Sequence, residues 1–344
     1  MNPLLDDDLT GPRPPVAWSA LRIALARVPV WLVCWLVPLV LAAALAVPWH
    51  GFAAETLAHR YEPGSLRRAL DETFRVDQRA ALELLRGGTA AVAAALTLVV
   101  ALFGVFAGGG WLQVFFERTQ GHSLRRFLWG GARYFWRFTR VALCGLVLLA
   151  LLTWLFHGWP WKTALRLFLG AKDGDLEVLV SGQSALYVTW LQHGGYAAGV
   201  ALLFAWGDLA RARIALLDAR SAVWAGLCTL GLVLLHPVRT LRPMLLLFAV
   251  ELAAVLVLGR VSRALSDGFG PDSGAWTLVV VFLLGQVALL ARGIVRGARY
   301  HAAAQVSKQL VPLPVEPDPW AGRVGGPGGP QYPIDLADDY EVSV

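Results

Sequence analysis

Charge is scarce in this chain. Only 16% of its 344 residues are Asp, Glu, Lys or Arg, against 57% hydrophobic, and the mean hydropathy is +0.56. Ordinary soluble domains carry clearly more charge and fewer apolar residues. Cysteine is also sparse: Cys34, Cys144 and Cys228 are spaced like neither a zinc set nor a disulfide framework and lie in apolar surroundings, where thiols behave as small hydrophobes. Of the 30 basic residues only 3 are lysine, and Asn2 is the one asparagine. Nucleotide and nucleophile signatures are missing too. There is no GxSxG, no phosphate loop, no dinucleotide fingerprint and no HExxH, and Gly108-Gly109-Gly110-Trp111 lacks the Lys-Ser/Thr a phosphate loop needs. The reading that follows is a non-enzymatic protein with no metal and no cofactor.

What is present is length of apolar sequence. Six segments approach the ~20 residues needed to span hydrocarbon: 28–48, 89–114, 141–158, 185–206, 241–259 and 275–295. They predict an all-α, polytopic membrane bundle over residues 16–305. The run after residue 28 is longer than a signal-peptide core and follows 27 residues, so it is expected to be retained. Pro38 within it is tolerable where neighbouring helices re-satisfy the backbone. Nineteen Lys and Arg fall on one side of a six-span path and eleven on the other, which places both termini in the cytoplasm of a bacterial inner membrane. Residues 1–15 read as a disordered tail. So do residues 306–344, which from 311 onward carry seven prolines and five glycines and bury too little apolar surface to offset ordering entropy. Segment 49–88 is expected outside, with a helix from Pro63 to Gly87-Gly88 supported by Arg67–Asp71, Arg68–Glu72 and Arg79–Glu83 pairs.

Residues 121–140, GHSLRRFLWGGARYFWRFTR, hold five arginines and six aromatics. On a helical wheel Arg126, Arg133, Arg137 and Arg140 share one face, and Leu124, Leu128, Phe135 and Phe138 the other. Half the aromatics point away from the arginines, which disfavours a single-stranded nucleic-acid surface, where rings are presented to bases. The layout predicts a helix lying in the lipid interface, its four arginines contacting anionic headgroups, with Gly130-Gly131 as a bend. The arrangement of serine, amphipathic stretch, basic residues and span recurs at 18–33 and 220–247, predicting three tandem units, each a cytoplasmic-face helix and a transmembrane hairpin, with the serine as cap. Gly104/Gly108, Gly195/Gly199 and Gly293/Gly297 put small-residue pairs in the even spans, which are expected to pack inside.

Two features carry candidate chemistry. Glu251, within MLLLFAVELAAVLVL, is an acid near the middle of the fifth span, where an ionised carboxylate costs roughly 3 kcal/mol. Protonation, a bond to Gln286 in the sixth span, or water relieves that cost. Asp208, in GDLARARIALLDARSA, is expected to pair locally with Arg211 and Arg213, and Asp218 with Arg211, in headgroups or solvent. His50, His59, His157 and His193 share the external side without short ligand spacing.

The repeated units, above all GHSLRRFLWGGARYFWRFTR and DLARARIALLDARSA, give the chain a layout that resembles a broad group of six-span bacterial membrane proteins. It is similar to the membrane domain fused to some glycerophosphodiester phosphodiesterases. The resemblance covers about residues 16–305 and implies no catalytic residue, because that chemistry belongs to a soluble domain. The expected function is organisation of lipids or of a membrane or periplasmic protein partner, with no nucleic acid involved. The alternative is a transporter or permease-like subunit using Glu251.

Overall fold

The structure is a computed structural model that describes residues 16–57, 76–116, 122–169, 182–267 and 275–311. The predicted tail at 1–15, residues 312–344 of the predicted tail at 306–344, the helix start at Pro63 with its Arg67–Asp71 and Arg68–Glu72 pairs, and His59 lie outside the described residues; residues 306–310, expected in that tail, are instead helical, with Val306 and Ser307 buried. Among the described residues the fold is an all-α bundle without a strand. In chain order the helices are α1 Val16–Leu25, α2 Val28–Leu57, α3 Arg79–Phe116, α4 Ser123–His157, α5 Trp159–Leu169, α6 Gly182–Leu217, α7 Ala222–Leu235, α8 Pro237–Asp267 and α9 Ala275–Leu310.

Five of these stretches are long and apolar enough to cross a membrane: Val28–Phe52, Arg79–Phe116, Ser123–Phe168, Pro237–Asp267 and Val279–Leu310. The segment at 185–206 lies in α6, whose 36 residues are long enough, but Gln192, His193 and three glycines hold its hydropathy below that of the other five. α3, at 38 residues, is about 57 Å long, nearly twice the hydrocarbon thickness. It begins at Arg79, with the expected Arg79–Glu83 ion pair at 2.9 Å, and runs through Gly87-Gly88 without a break. Those glycines therefore do not end an external helix. A helix held by a continuous apolar run tolerates the ~1 kcal/mol that each glycine costs.

The short helices at the starts of the units differ. α7 is capped by Ser221, whose hydroxyl accepts from the Trp224 amide at 3.2 Å, and it stops before Pro237, the first residue of α8. α1 stops before Val28-Pro29 in the same way, but Ser19 lies inside it and bonds back to the Val16 carbonyl at 3.0 Å. The middle unit has no break at all. Residues 123–157 form one helix, α4, with no side-chain cap at His122. The predicted separate interfacial helix is thus the first half of α4.

That half is packed, but by a face that shares only Phe138 and, in part, Phe135 with the one expected. Phe127, Gly130, Gly131, Tyr134, Phe138 and Val141 are buried, while Leu124, Leu128, Trp129 and Trp136 are exposed. Gly130-Gly131 is a crossing point rather than a bend. A Cβ at Gly109 would lie 2.7 Å from the Gly130 carbonyl oxygen, and one at Gly130 would overlap the Gln113 side chain. Backbone thus meets backbone where α3 and α4 cross, a separation only glycine allows.

The main core sits at this end of the bundle. It joins Ala20 and Ala24 of α1, Trp111 and Leu112 of α3, Phe127 and Phe138 of α4, Leu209 and Ile214 of α6, Met244 and Leu247 of α8, and Ala298 to Ala304 of α9. α3, α6 and α9 all contact one another, so the second long helix of each unit faces the centre. α4 packs on α3, α7 on α6, and α1 on α9, which closes the ring between the first and last described helices. At the other end the apolar windows are only 6–17% buried.

Candidate functional site

Helical spacing brings charge into the central helices. On α9, Arg292, Arg296, Arg299 and Tyr300 recur at intervals of three and four and form one stripe running into the core. On α8, the packed stripe Thr240, Met244, Leu247 continues after four residues to Glu251. On α6, Asp208 and Arg211 share a face one turn apart.

These groups form one network. Arg299 Nη1 donates to Glu251 Oε2 at 3.0 Å, and its Nε lies 3.4 Å from Asp208 Oδ2. Arg211 Nη1 reaches Asp208 Oδ1 at 3.3 Å and donates to the Tyr300 hydroxyl at 3.4 Å. Arg292 Nε stands 3.2 Å from Glu251 Oε1. Arg296 Nη2 donates to the Gly104 carbonyl of α3 at 3.1 Å, and its guanidinium lies against the Tyr300 hydroxyl. The Arg299 guanidinium also sits 5.8 Å from the Phe248 ring centre. The Asp208 side chain is 3% exposed and that of Arg299 9%, whereas Arg292 is 69% exposed at the outer end of the stripe. Asp208 Oδ2, Arg211 Nε and Arg299 Nε are buried without a hydrogen-bond partner among the described residues.

The sequence reading found Glu251 but paired it differently. Gln286 does not meet it; its Oε1 accepts from Trp35 Nε1 at 3.1 Å and ties α9 to α2. Glu251 instead takes two guanidinium groups from α9, so cations stand at its own depth. Asp208 is likewise buried, and its second partner Arg299 lies 91 positions along the chain, where no local pattern points. The signal the sequence offers is the stripe of arginines in ARGIVRGARY. Gly104 and Gly108 let that stripe approach, since a Cβ at Gly108 would lie 2.7 Å from the Tyr300 hydroxyl.

The four arginines assigned to headgroups have separate fates. Arg137 forms an ion pair with Asp218, and Arg133 stands 3.6 Å from the same carboxylate, so Asp218 is held by α4 rather than by Arg211. Arg140 is exposed and Arg126 half-buried. At the far end of α4 and α6, His157 and His193 meet with ring centres 6.2 Å apart, and Tyr196 joins Thr153 at 3.1 Å. No group of three or more His, Cys, Asp or Glu side chains able to hold a metal occurs among the described residues.

Chemically, the network offers buried guanidinium groups in excess over carboxylates and a tyrosine hydroxyl, with the Cys34 thiol beside Arg296. No family model, curated protein or solved structure matches this chain.

Proposed function

We propose that this chain is a six-pass protein of a bacterial cytoplasmic membrane, with both termini inside, that organises lipids or a membrane or periplasmic protein partner and catalyses no reaction. The observation that carries this reading is the uneven packing of its helices. The charged end is tied together by the network and the α3–α4 glycine crossing, while the apolar windows stay 6–17% buried and present their sides to lipid or to other membrane chains. α6 supplies the sixth pass, because it pairs with α4 and contacts α9 and so returns the chain across the layer. The likeness in layout to the membrane domain of some glycerophosphodiester phosphodiesterases belongs to the same reading.

Native mass spectrometry of the full chain, extracted in mild detergent, tests it. A protein or lipid retained in fixed stoichiometry supports organisation; a lone chain free of both counts against it.

A second reading, a transporter subunit, draws on buried Asp208 and half-buried Glu251 among α6, α8 and α9, since intramembrane acids often serve ion pathways. It expects a pH-dependent flux in vesicles that disappears in Glu251→Gln and survives in Arg125→Gln.

A further inference from the structure

At the end of the bundle away from the charged network, α5 follows α4 directly. The chain leaves the helix at Gly158, which is extended at φ −97° and ψ −162°. Pro160 then sits in the first turn of α5, where its missing N–H costs nothing. No other described helix separates its polar and apolar sides as sharply. On a helical wheel Trp161, Ala164, Leu165, Leu167 and Phe168 share one apolar arc, and Lys162 and Arg166 lie opposite.

The bundle covers only part of that arc. Leu165 is buried together with Val188 of α6, and the Trp161 ring centre lies 5.7 Å from that of Phe156. Leu167 and Phe168, on the rest of the arc, are 76% and 84% exposed, and Trp159 is 69% exposed. In water such exposure of large apolar side chains is costly; against hydrocarbon it is not.

The contacts also fix the level of α5. Val188 lies two residues from Trp190, about 3 Å along α6. Trp190 and Trp154 of α4 are both exposed and flank the contact between His157 and His193, so they stand at a common level. Exposed tryptophans at one level on neighbouring helices suit the boundary between hydrocarbon and headgroups. On α4, Trp154 is 18 residues from the exposed Trp136, about 27 Å along the helix and close to the ~30 Å of a hydrocarbon core.

We propose that α5 is a lipid-interface anchor, its Leu167 and Phe168 entering the acyl boundary and its Lys162 and Arg166 meeting headgroup phosphates. Contact with lipid then holds the end of the α4–α6 hairpin where packing between helices is sparse. The proposal rests on the membrane reading above.

The test uses the full chain with Cys34, Cys144 and Cys228 replaced by alanine, reconstituted in vesicles of phosphatidylethanolamine and phosphatidylglycerol. Phe168→Cys, Lys162→Cys and Leu146→Cys each carry a nitrobenzoxadiazole label. Quenching is read from iodide on both sides of the membrane and from spin-labelled acyl chains. The label at 146, in the middle of α4, is expected to respond to the acyl-chain quencher alone; if iodide reaches it instead, the membrane reading fails and α5 fails with it. With 146 in lipid, the label at 168 is expected to be quenched severalfold more by the acyl chains than by iodide, and the label at 162 the reverse. Equal iodide quenching at 168 and 162 would place α5 in water, and shielding of 168 from both quenchers would place a protein on it; either result overturns the proposal. If the alanine background does not fold, a photo-crosslinking residue at 168 in the otherwise unaltered chain decides the same point. Adducts of lipid mass support the anchor, and adducts of protein mass or none contradict it.

Discussion

Glu251 and Asp218 are each held by two arginines, yet their environments differ. Glu251 has a 13% exposed side chain between α8 and α9, and Asp218 is 54% exposed at the end of α6. Removing one member of a buried ion pair leaves the other charge uncompensated, at a cost of about 3–5 kcal/mol, whereas an exposed pair contributes about 0–1 kcal/mol. Glu251→Gln is therefore expected to destabilise by about 3 kcal/mol, the low end because Arg292 keeps contact with the outside. Asp218→Asn is expected to cost under about 1 kcal/mol. Thermal unfolding of both variants in one detergent checks the contrast, and equal shifts would contradict the burial argument. The sequence made Glu251 visible because an acid interrupts an apolar run. It hid Asp208, because an acid just past the end of an apolar segment looks solvated until the helix packed against it is known.

At the scale of elements, the α3–α4 crossing is the tightest joint in the bundle. Gly130→Ala places a methyl group against Gln113 and is expected to cost about 1–3 kcal/mol or more through overpacking. Gly145→Ala, on the same helix, meets nothing within 4 Å and is expected to be neutral or slightly stabilising. Resistance to proteolysis in detergent separates the two. Ser221→Ala removes the α7 cap and is expected to lose about 1 kcal/mol, without moving α8, whose start is set by Pro237. The wheel of residues 121–140 assigned the buried side by hydrophobicity. Glycine carries no hydrophobic signal, so the stripe through Gly130 and Gly131 that α3 touches was not legible from periodicity alone.

For the whole molecule, the proposed orientation rests on the arginine bias and is tested with reporters. A fluorescent reporter fused after Val344 is expected to fold in the cytoplasm, and an export-dependent phosphatase inserted near residue 175 to be active. The reverse pattern would contradict the arginine bias that set the topology.

Hydropathy and charge by themselves determined that the fold of the described residues is all-α and that several helices are long and apolar enough to cross a membrane, because both properties follow from local composition. Gly104, Gly108, Gly195, Gly199 and Gly297 were also recognisable as places of close approach, whereas Gly293, read the same way, meets nothing within 4 Å. Which surfaces meet was decided only by the tertiary structure. α1 closes on α9, and α3, α6 and α9 converge, bringing Asp208, Glu251 and Arg299 together from three helices. The physical reason is that ion pairing and backbone contact depend on distance in space. Residues 208, 251 and 299 have no periodic relation along the chain that would reveal it.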